Sequence, residues 1–451
     1  MHLANSTTAV IKKTALFIFV SFIYTFASAQ ENSPYSRYGM GDVVPSQNIV
    51  SRSMGGITAG FIDSSGFLPY TQSINLSNPA SLGSINTTIF DIGGEVDIRT
   101  LKSNTSPAKY KATNTLISYL QIGFPIAPKK MAAKGNYWGV SFGLRPVTRI
   151  NYKISADKRL VGIDSVNTLY EGTGGISQAN ISTGIRIKNF SFGLSTGYSF
   201  GNRLNSTKLG FVNDTIGYLQ SLSQSEARFG GLFLTLGAQY GIRLKNNNVL
   251  RLGVSTNLQQ NLKATRDNVN ETFIYGGNGE IIAIDTVTSS IGVKGNITLP
   301  ATYTGGFTYT TAHWLLGADV DYTAWSKFRY FGAKDAVQNN ILVHAGAQYY
   351  PGKTTSTKYL NFVKYRAGLY FGNDYVKLGN TNRPIYGVTL GASLPLTSFQ
   401  RLRLGEFVAL NTGVEIGQHG NKKNQSLREG IVRVNFGVSM SAAWFQKRKY
   451  D

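Results

Sequence analysis

From Thr87 onward the chain alternates apolar and polar residues in a period of two. Around 137–152, Trp138, Val140, Phe142 and Leu144 share one face and Gly139, Ser141, Gly143 and Arg145 the other. Near the C-terminus Val432, Val434, Phe436, Val438, Met440 and Trp444 oppose Arg433, Asn435, Gly437, Ser439 and Ser441. This period puts successive side chains on opposite faces of a strand. Strands of about 9 to 11 residues with one apolar and one polar face are what a membrane-spanning barrel uses, lipid outside and a polar lumen inside. A one-residue slip would put Arg433 in hydrocarbon at roughly 2 to 4 kcal/mol, so pairing is firmly specified.

Fourteen strands are predicted, near 87–101, 114–125, 137–152, 176–187, 190–200, 228–244, 249–262, 299–310, 313–325, 341–350, 362–371, 384–395, 404–416 and 431–444. The fold class is therefore all-β, an antiparallel transmembrane barrel. The connections 188–189, 246–248 and 311–312 are short and alternate with long ones at 153–175, 201–227 and 263–298. Short periplasmic turns and long outside loops give that alternation, and both termini are then expected in the periplasm. Two segments fit less well. The stretch 281–298 suits either a strand or a hairpin above the membrane, and 126–136 is long for a periplasmic turn; about sixteen strands is the competing count.

The region before Thr87 is different. Met54-Gly55-Gly56-Ile57-Thr58-Ala59-Gly60 is too glycine-rich for a stable helix or strand yet has apolar side chains to pack, so 30–85 reads as a compact plug ahead of a barrel at 86–451. Residues 1–29 have the form of a secretory signal peptide: Lys12-Lys13, an apolar run to Ile23, and Ala27-Ser28-Ala29 as the cleavage site. Fifty glycines, 25 tyrosines and 25 phenylalanines with 15% charged residues suit tight turns and aromatic belts. The absence of cysteine excludes disulfides, thiol chemistry and lipoprotein anchoring. Net charge is +22, or +20 once Lys12 and Lys13 leave. These cations are dispersed over turns and alternate strand positions, which argues against nucleic acid and for outer-membrane lipid headgroups.

Chemistry is sparse. His313, His344 and His419 lack metal-ligand spacing, no Gly-x-Ser-x-Gly elbow occurs, and Gly172-x-Gly174-Gly175 and Gly276-Gly277 read as loop punctuation. No enzyme, metal or cofactor is expected. Pro146 interrupts the third strand and marks either a bulge or the strand's end. Tyr322, Trp325 and Trp444 are expected in the aromatic girdle.

The Gly55-Gly56 pair, Asp63 and Asn78-Pro79-Ala80 ahead of the first strand resemble the N-terminal hatch of FadL-type outer-membrane transporters of long-chain fatty acids and other hydrophobic compounds. The stretch from Ser64 to Ile74 departs as an insertion. Leu299-Pro300, Gly305-Gly306, Trp314 and Tyr322-Thr323-Ala324-Trp325-Ser326 are similar to two strands of that family, and Tyr365-Arg366-Ala367-Gly368 to a later one. The resemblance implies passive uptake of a hydrophobic ligand, gating at Asn78, Pro79, Ala80, Gly55 and Gly56, and a lateral opening at Pro146. The alternative is a FadL-like barrel that does not transport and acts as a structural or adaptor subunit of an outer-membrane secretion or assembly complex. Apolar side chains facing inward near the hatch would favour transport; a lumen crossed by charge networks would favour the adaptor.

Overall fold

The computed structural model describes residues 33–63, 73–103, 109–126, 131, 133–212, 216–352, 358–378, 382–397, 406–420 and 427–442. Fourteen antiparallel strands form the wall: β1 (Thr88–Lys102), β2 (Lys109–Pro125), β3 (Tyr137–Arg159), β4 (Ser165–Ile187), β5 (Phe190–Phe211), β6 (Gln220–Arg243), β7 (Val249–Asn257), β8 (Thr302–Thr310), β9 (Trp314–Thr323), β10 (Asn340–Tyr349), β11 (Lys364–Asn373), β12 (Pro384–Pro395), β13 (Phe407–His419) and β14 (Arg428–Ala442). β14 pairs with β1 from Arg428↔Lys102 to Ala442↔Thr88 and closes the barrel. Closure removes the edges that lipid cannot hydrogen-bond.

Burial is inverted relative to a water-soluble protein. Leu232 and Leu390 are 74% and 60% exposed on the outer face, whereas Asp91, Glu95 and Asn435 are at most 2% exposed on the lumen side. The outer face is bounded by aromatic pairs. Tyr303 and Tyr322 stack at 6.4 Å near the long-loop end, and Trp314 meets Tyr349 at 4.7 Å near the short-turn end, as interfacial belts do.

Three expectations are corrected beyond the band. The predicted loops at 153–175 and 201–227 consist largely of strand, because β3 to β6 continue far past the membrane. Gly172, Gly174 and Gly175 accordingly lie inside β4 and not in a loop. The predicted strand 249–262 ends at Asn257, and Gln260–Tyr275 with Ile281–Leu299 forms a hairpin whose first arm pairs with the outer half of β6. Outside the membrane both faces of a strand meet water, so the two-residue pattern fades although backbone pairing continues.

Residues 33–63 and 73–87 lie within the lumen. Their main chain and side chains reach β1, β3, β7, β9, β11, β12 and β13, which only a position inside the ring allows. The path begins at the long-loop end, where the Ser33 Oγ donates to Glu429 at 2.7 Å, and descends through Asp42–Val43, paired with β3, to helix α1 (Ile49–Arg52). Asn48 caps α1, its side-chain oxygen accepting from the Ser51 N–H at 2.8 Å. The segment ends at the short-turn end in the 3-10 turn Pro79–Ser84. Ala442, the last described residue, is also at that end; the extreme termini, and the signal peptide, fall outside the described residues.

Candidate functional site

The contact between the inner segment and the wall is the site. Its first component is a belt of glycines on the lumen face. Gly139, Gly184, Gly193 and Gly237 are successive cross-strand partners on β3 to β6, as are Gly317, Gly346 and Gly368 on β9 to β11 and Gly391 and Gly413 on β12 and β13. A methyl at Gly193 would strike the main chain of Pro79 and Ala80, at Gly346 that of Met54, and at Gly368 that of Gly55. Wall and inner segment therefore touch backbone to backbone, which only glycine permits. On the other side of the contact, Gly55 has φ +70° and faces the β10 and β11 carbonyls of Ala345 and Leu369.

The second component is charge. Arg52 of α1 pairs with Glu95 of β1 and lies 3.6 Å from Glu415 of β13; Arg433 of β14 bridges Glu415 at 3.0 Å and Asp97 at 3.1 Å; Arg99 joins Asp97 at 3.1 Å to Asp42 at 2.6 Å. One continuous network thus runs from α1 through three wall strands back to the inner segment. At the short-turn end Asp63 accepts from Lys364 Nζ at 2.7 Å. Between them, Asp319 accepts the Thr58 N–H and, at 2.7 Å, the Ala59 N–H, and His344 Nδ1 meets the Gly55 carbonyl at 2.6 Å. At the long-loop rim Arg383 pairs with Asp374, lies 3.4 Å from Glu429, and covers the Tyr35 ring at 3.3 Å. A lumen cavity of about 340 Å³ is bordered by Arg52, Arg99, Arg145, His344, Glu415 and Arg433. Removing one member of such a buried pair leaves an uncompensated charge.

Asn78-Pro79-Ala80 lies where the segment turns back. Asn78 Nδ2 donates to the Ala59 carbonyl at 2.7 Å and to the Val254 carbonyl of β7 at 3.3 Å, while its Oδ1 accepts from the Ala80 N–H at 3.1 Å. One side chain therefore joins both limbs of the segment to the wall.

Pro146 sits where the wall divides. β2 and β3 pair only from Pro125↔Gly139 to Leu120↔Leu144. Past that point Ser118 bulges from β2 and Val147 from β3, and Asp42 and Val43 take the β3 edge opposite Arg149 and Thr148. Bulges bend strands and end pairing. Pairing thus ends at the outward Leu120, and the outward Ile117 of β2 already lies past the split, followed by Thr115 and Thr113. A cavity of about 570 Å³ borders it, lined by Leu116, Ile117, Pro146 and Phe200.

Tyr322 lies outward on β9 in the belt position. Trp325 does not: it is 6% exposed and stacks on Tyr375 at 4.4 Å, because the chain leaves β9 at Thr323 and folds Trp325–Lys327 over the rim. Trp444 lies outside the described residues. The residues that sequence reading missed are the charged partners. Their inward parity is legible, but which acid meets which base depends on strand register and on the fold-back of the inner segment. The spaced lumen-side glycines were a readable signal.

A family model described as BamG matches residues 10–451. No curated protein matches by sequence. Among solved structures, a Pseudomonas aeruginosa FadL homologue aligns with TM-score 0.55 and 14% identity over 90% of this chain and 100% of its own. The P. putida toluene transporter TodX aligns with TM-score 0.52 and 14% identity over 90% and 100%. The monoaromatic hydrocarbon channel CymD gives 0.50 and 13% over 91% and 100%. The barrel thus has the FadL-type fold.

Proposed function

The chain belongs to the BamG family, and from that membership and the charged lumen we propose an outer-membrane FadL-type barrel, sealed by its N-terminal hatch, that serves as a structural or adaptor subunit of an outer-membrane secretion or assembly complex. One observation carries this reading: a buried charge network, Arg52–Glu415–Arg433–Asp97, crosses the lumen from the hatch to the wall and borders the cavity, whose lining also includes Val44, Leu76, Leu299 and Trp325. A hydrophobic ligand seated against that network would strip water from charged side chains without offering them a partner. A hatch held by buried ion pairs and seated on glycines has, moreover, a high cost of displacement. Residues 30–85 act in this reading as a fixed hatch, with Asn78 and the Gly55-Gly56 turn as fastenings. The short turns face the periplasm. Its structural neighbours include a transporter and a channel, and the chain is likewise read as a non-enzyme.

The second reading is passive passage of a hydrophobic small molecule, and the divided wall at Pro146 favours it. Its cavity has Leu116, Ile117 and Phe200 in its lining, and the neighbours include hydrocarbon channels. A disulfide separates the two readings. The chain has no cysteine, and a Cβ built at Gly413 would stand 3.6 Å from Ser53 Cβ, close to the ~3.8 Å of a disulfide. In a strain lacking the protein, oxidised Ser53→Cys/Gly413→Cys should restore the mature outer-membrane protein profile as fully as the parent chain. Loss of that restoration on oxidation, recovered by reductant, would show that the hatch must move and would favour passage.

A further inference from the structure

We propose that the short-turn mouth along β4, β6 and β7 docks an acidic, extended segment of a periplasmic partner protein; this names the partner's chemistry and rests on the adaptor reading for there being a partner. Arg186 lies two residues from Gly184, Arg251 two from Gly253 and Arg243 six from Gly237, and each of these glycines faces the hatch, so all three guanidiniums share the lumen face. Lys188 and Lys245, both exposed, stand on the adjoining turns. The stretches 183–195 and 236–256 that build this arc contain no Asp or Glu.

Elsewhere in the lumen Arg52, Arg99, Lys364 and Arg433 each face a carboxylate, while Arg145 and Arg203 donate to Ser46, Gln178, Gly39 and Arg37 oxygens. Arg186 instead rests on the Tyr137 ring at 4.3 Å, reaches Ser84 Oγ at 3.4 Å, and keeps a buried Nε with no hydrogen-bond partner among the described residues. The network around Arg52, Arg99 and Arg433 is balanced by matched acids, whereas this arc clusters cations on stretches that carry none. Guanidiniums in a row suit carboxylates, which accept paired N–H bonds. Headgroups of the surrounding leaflet meet the outer wall, whereas Arg186 and Arg251 point inward and are approached only through the mouth. That geometry favours a polypeptide over a lipid, and a partner rich in Asp or Glu over a neutral one.

The direct test uses the purified barrel in neutral detergent with a fluorescein-labelled poly-glutamate peptide followed by anisotropy. The peptide should bind, with Kd rising about ten-fold between low and ~0.3 M salt. Arg186→Gln/Arg243→Gln/Arg251→Gln should weaken it by a further factor of about ten. Lys188→Gln/Lys245→Gln, confined to exposed turns, should weaken it about three-fold and guards against misfolding of the first variant. Absence of binding, equal binding by both variants, or displacement of the peptide by phosphatidylglycerol nanodiscs would overturn the proposal. In intact membranes a photo-crosslinker replacing Lys188 should join a partner peptide rich in Asp and Glu. Adducts from the exposed outer residue Val161 but none from Lys188, or a Lys188 adduct on a non-acidic peptide, would sink this inference alone. No adduct at either position would remove the adaptor reading with it.

Discussion

Two seams of the wall meet the same inner segment and are built in opposite ways. At the β14–β1 seam fifteen residue pairs run without interruption, and Arg433 stands opposite Asp97 as a cross-strand ion pair. At the β2–β3 seam six pairs form, and then bulges on both strands end the contact. The first seam lends its charges to the hatch; the second lends it a bare strand edge, which Asp42–Val43 occupies. A barrel whose inner segment is fixed through charge at one seam can therefore leave another seam open without losing closure.

The largest expected effect breaks the strong seam. Arg433→Met leaves Asp97 and Glu415 buried without their shared partner, at a cost of about 3 to 5 kcal/mol. The heat-modifiable folded band should unfold at clearly lower temperature in electrophoresis, and an unchanged transition would mean that the network contributes nothing.

A smaller loss is expected at the join between hatch and wall. Asn78→Ala removes the hydrogen bonds to Ala59, Val254 and Ala80, about 1 to 3 kcal/mol for the polar groups left behind. Hydrogen exchange should quicken over residues 58–60 and 79–84 while β1 and β14 stay protected. Faster exchange in those strands too would show that the hatch and the strong seam melt as one unit.

The weak seam offers a third test. Pro146→Val restores one backbone donor and should change stability by less than about 1 kcal/mol, because the bulge at Val147 and the seated Asp42–Val43 still hold β2 away. In that background Ile122→Cys/Phe142→Cys, whose residues are direct partners, should crosslink readily and Ile117→Cys/Val147→Cys should not. Efficient crosslinking of the second pair would show that the proline alone holds the wall apart.

The least effect belongs to the outer rim. Burial pushes the Asp374 carboxyl up to about 6, even with Arg383 beside it, since Glu429 and Asp42 crowd the same cation. Between the ordinary value of 3.8 and about 6 the folded protein therefore holds a proton that the unfolded chain releases. Stability falls as pH rises through that window. Protection of the Tyr375 and Val376 amides, corrected for the pH dependence of intrinsic exchange, should be greater at pH 5 than at pH 7, and Asp374→Asn should erase the difference.

Much of this was legible in the sequence because a membrane imposes a simple rule. Lipid on one face and a polar lumen on the other make the two-residue alternation visible, so fourteen wall strands were placed, most to within a few residues where they cross the band, and Tyr322 was assigned its outward position. Where the membrane stops the rule stops, so alternation marks β3 to β6 short of their ends and does not distinguish Trp325, just past the rim, from an interfacial residue.

The alternation along the chain is enough for the class of fold and the inward parity of Arg433, and the Gly55-Gly56 pair marks a stretch too glycine-rich for helix or strand. Only the tertiary structure decided that Arg52 meets Glu95 and Glu415, that Asn78 ties Ala59 to Val254, and that β2 leaves β3 after Leu144. Alternation is a local property, fixed by which side of a strand faces lipid. Partnership is not: it depends on the register of strands hundreds of residues apart and on a segment that folds back through the ring they enclose.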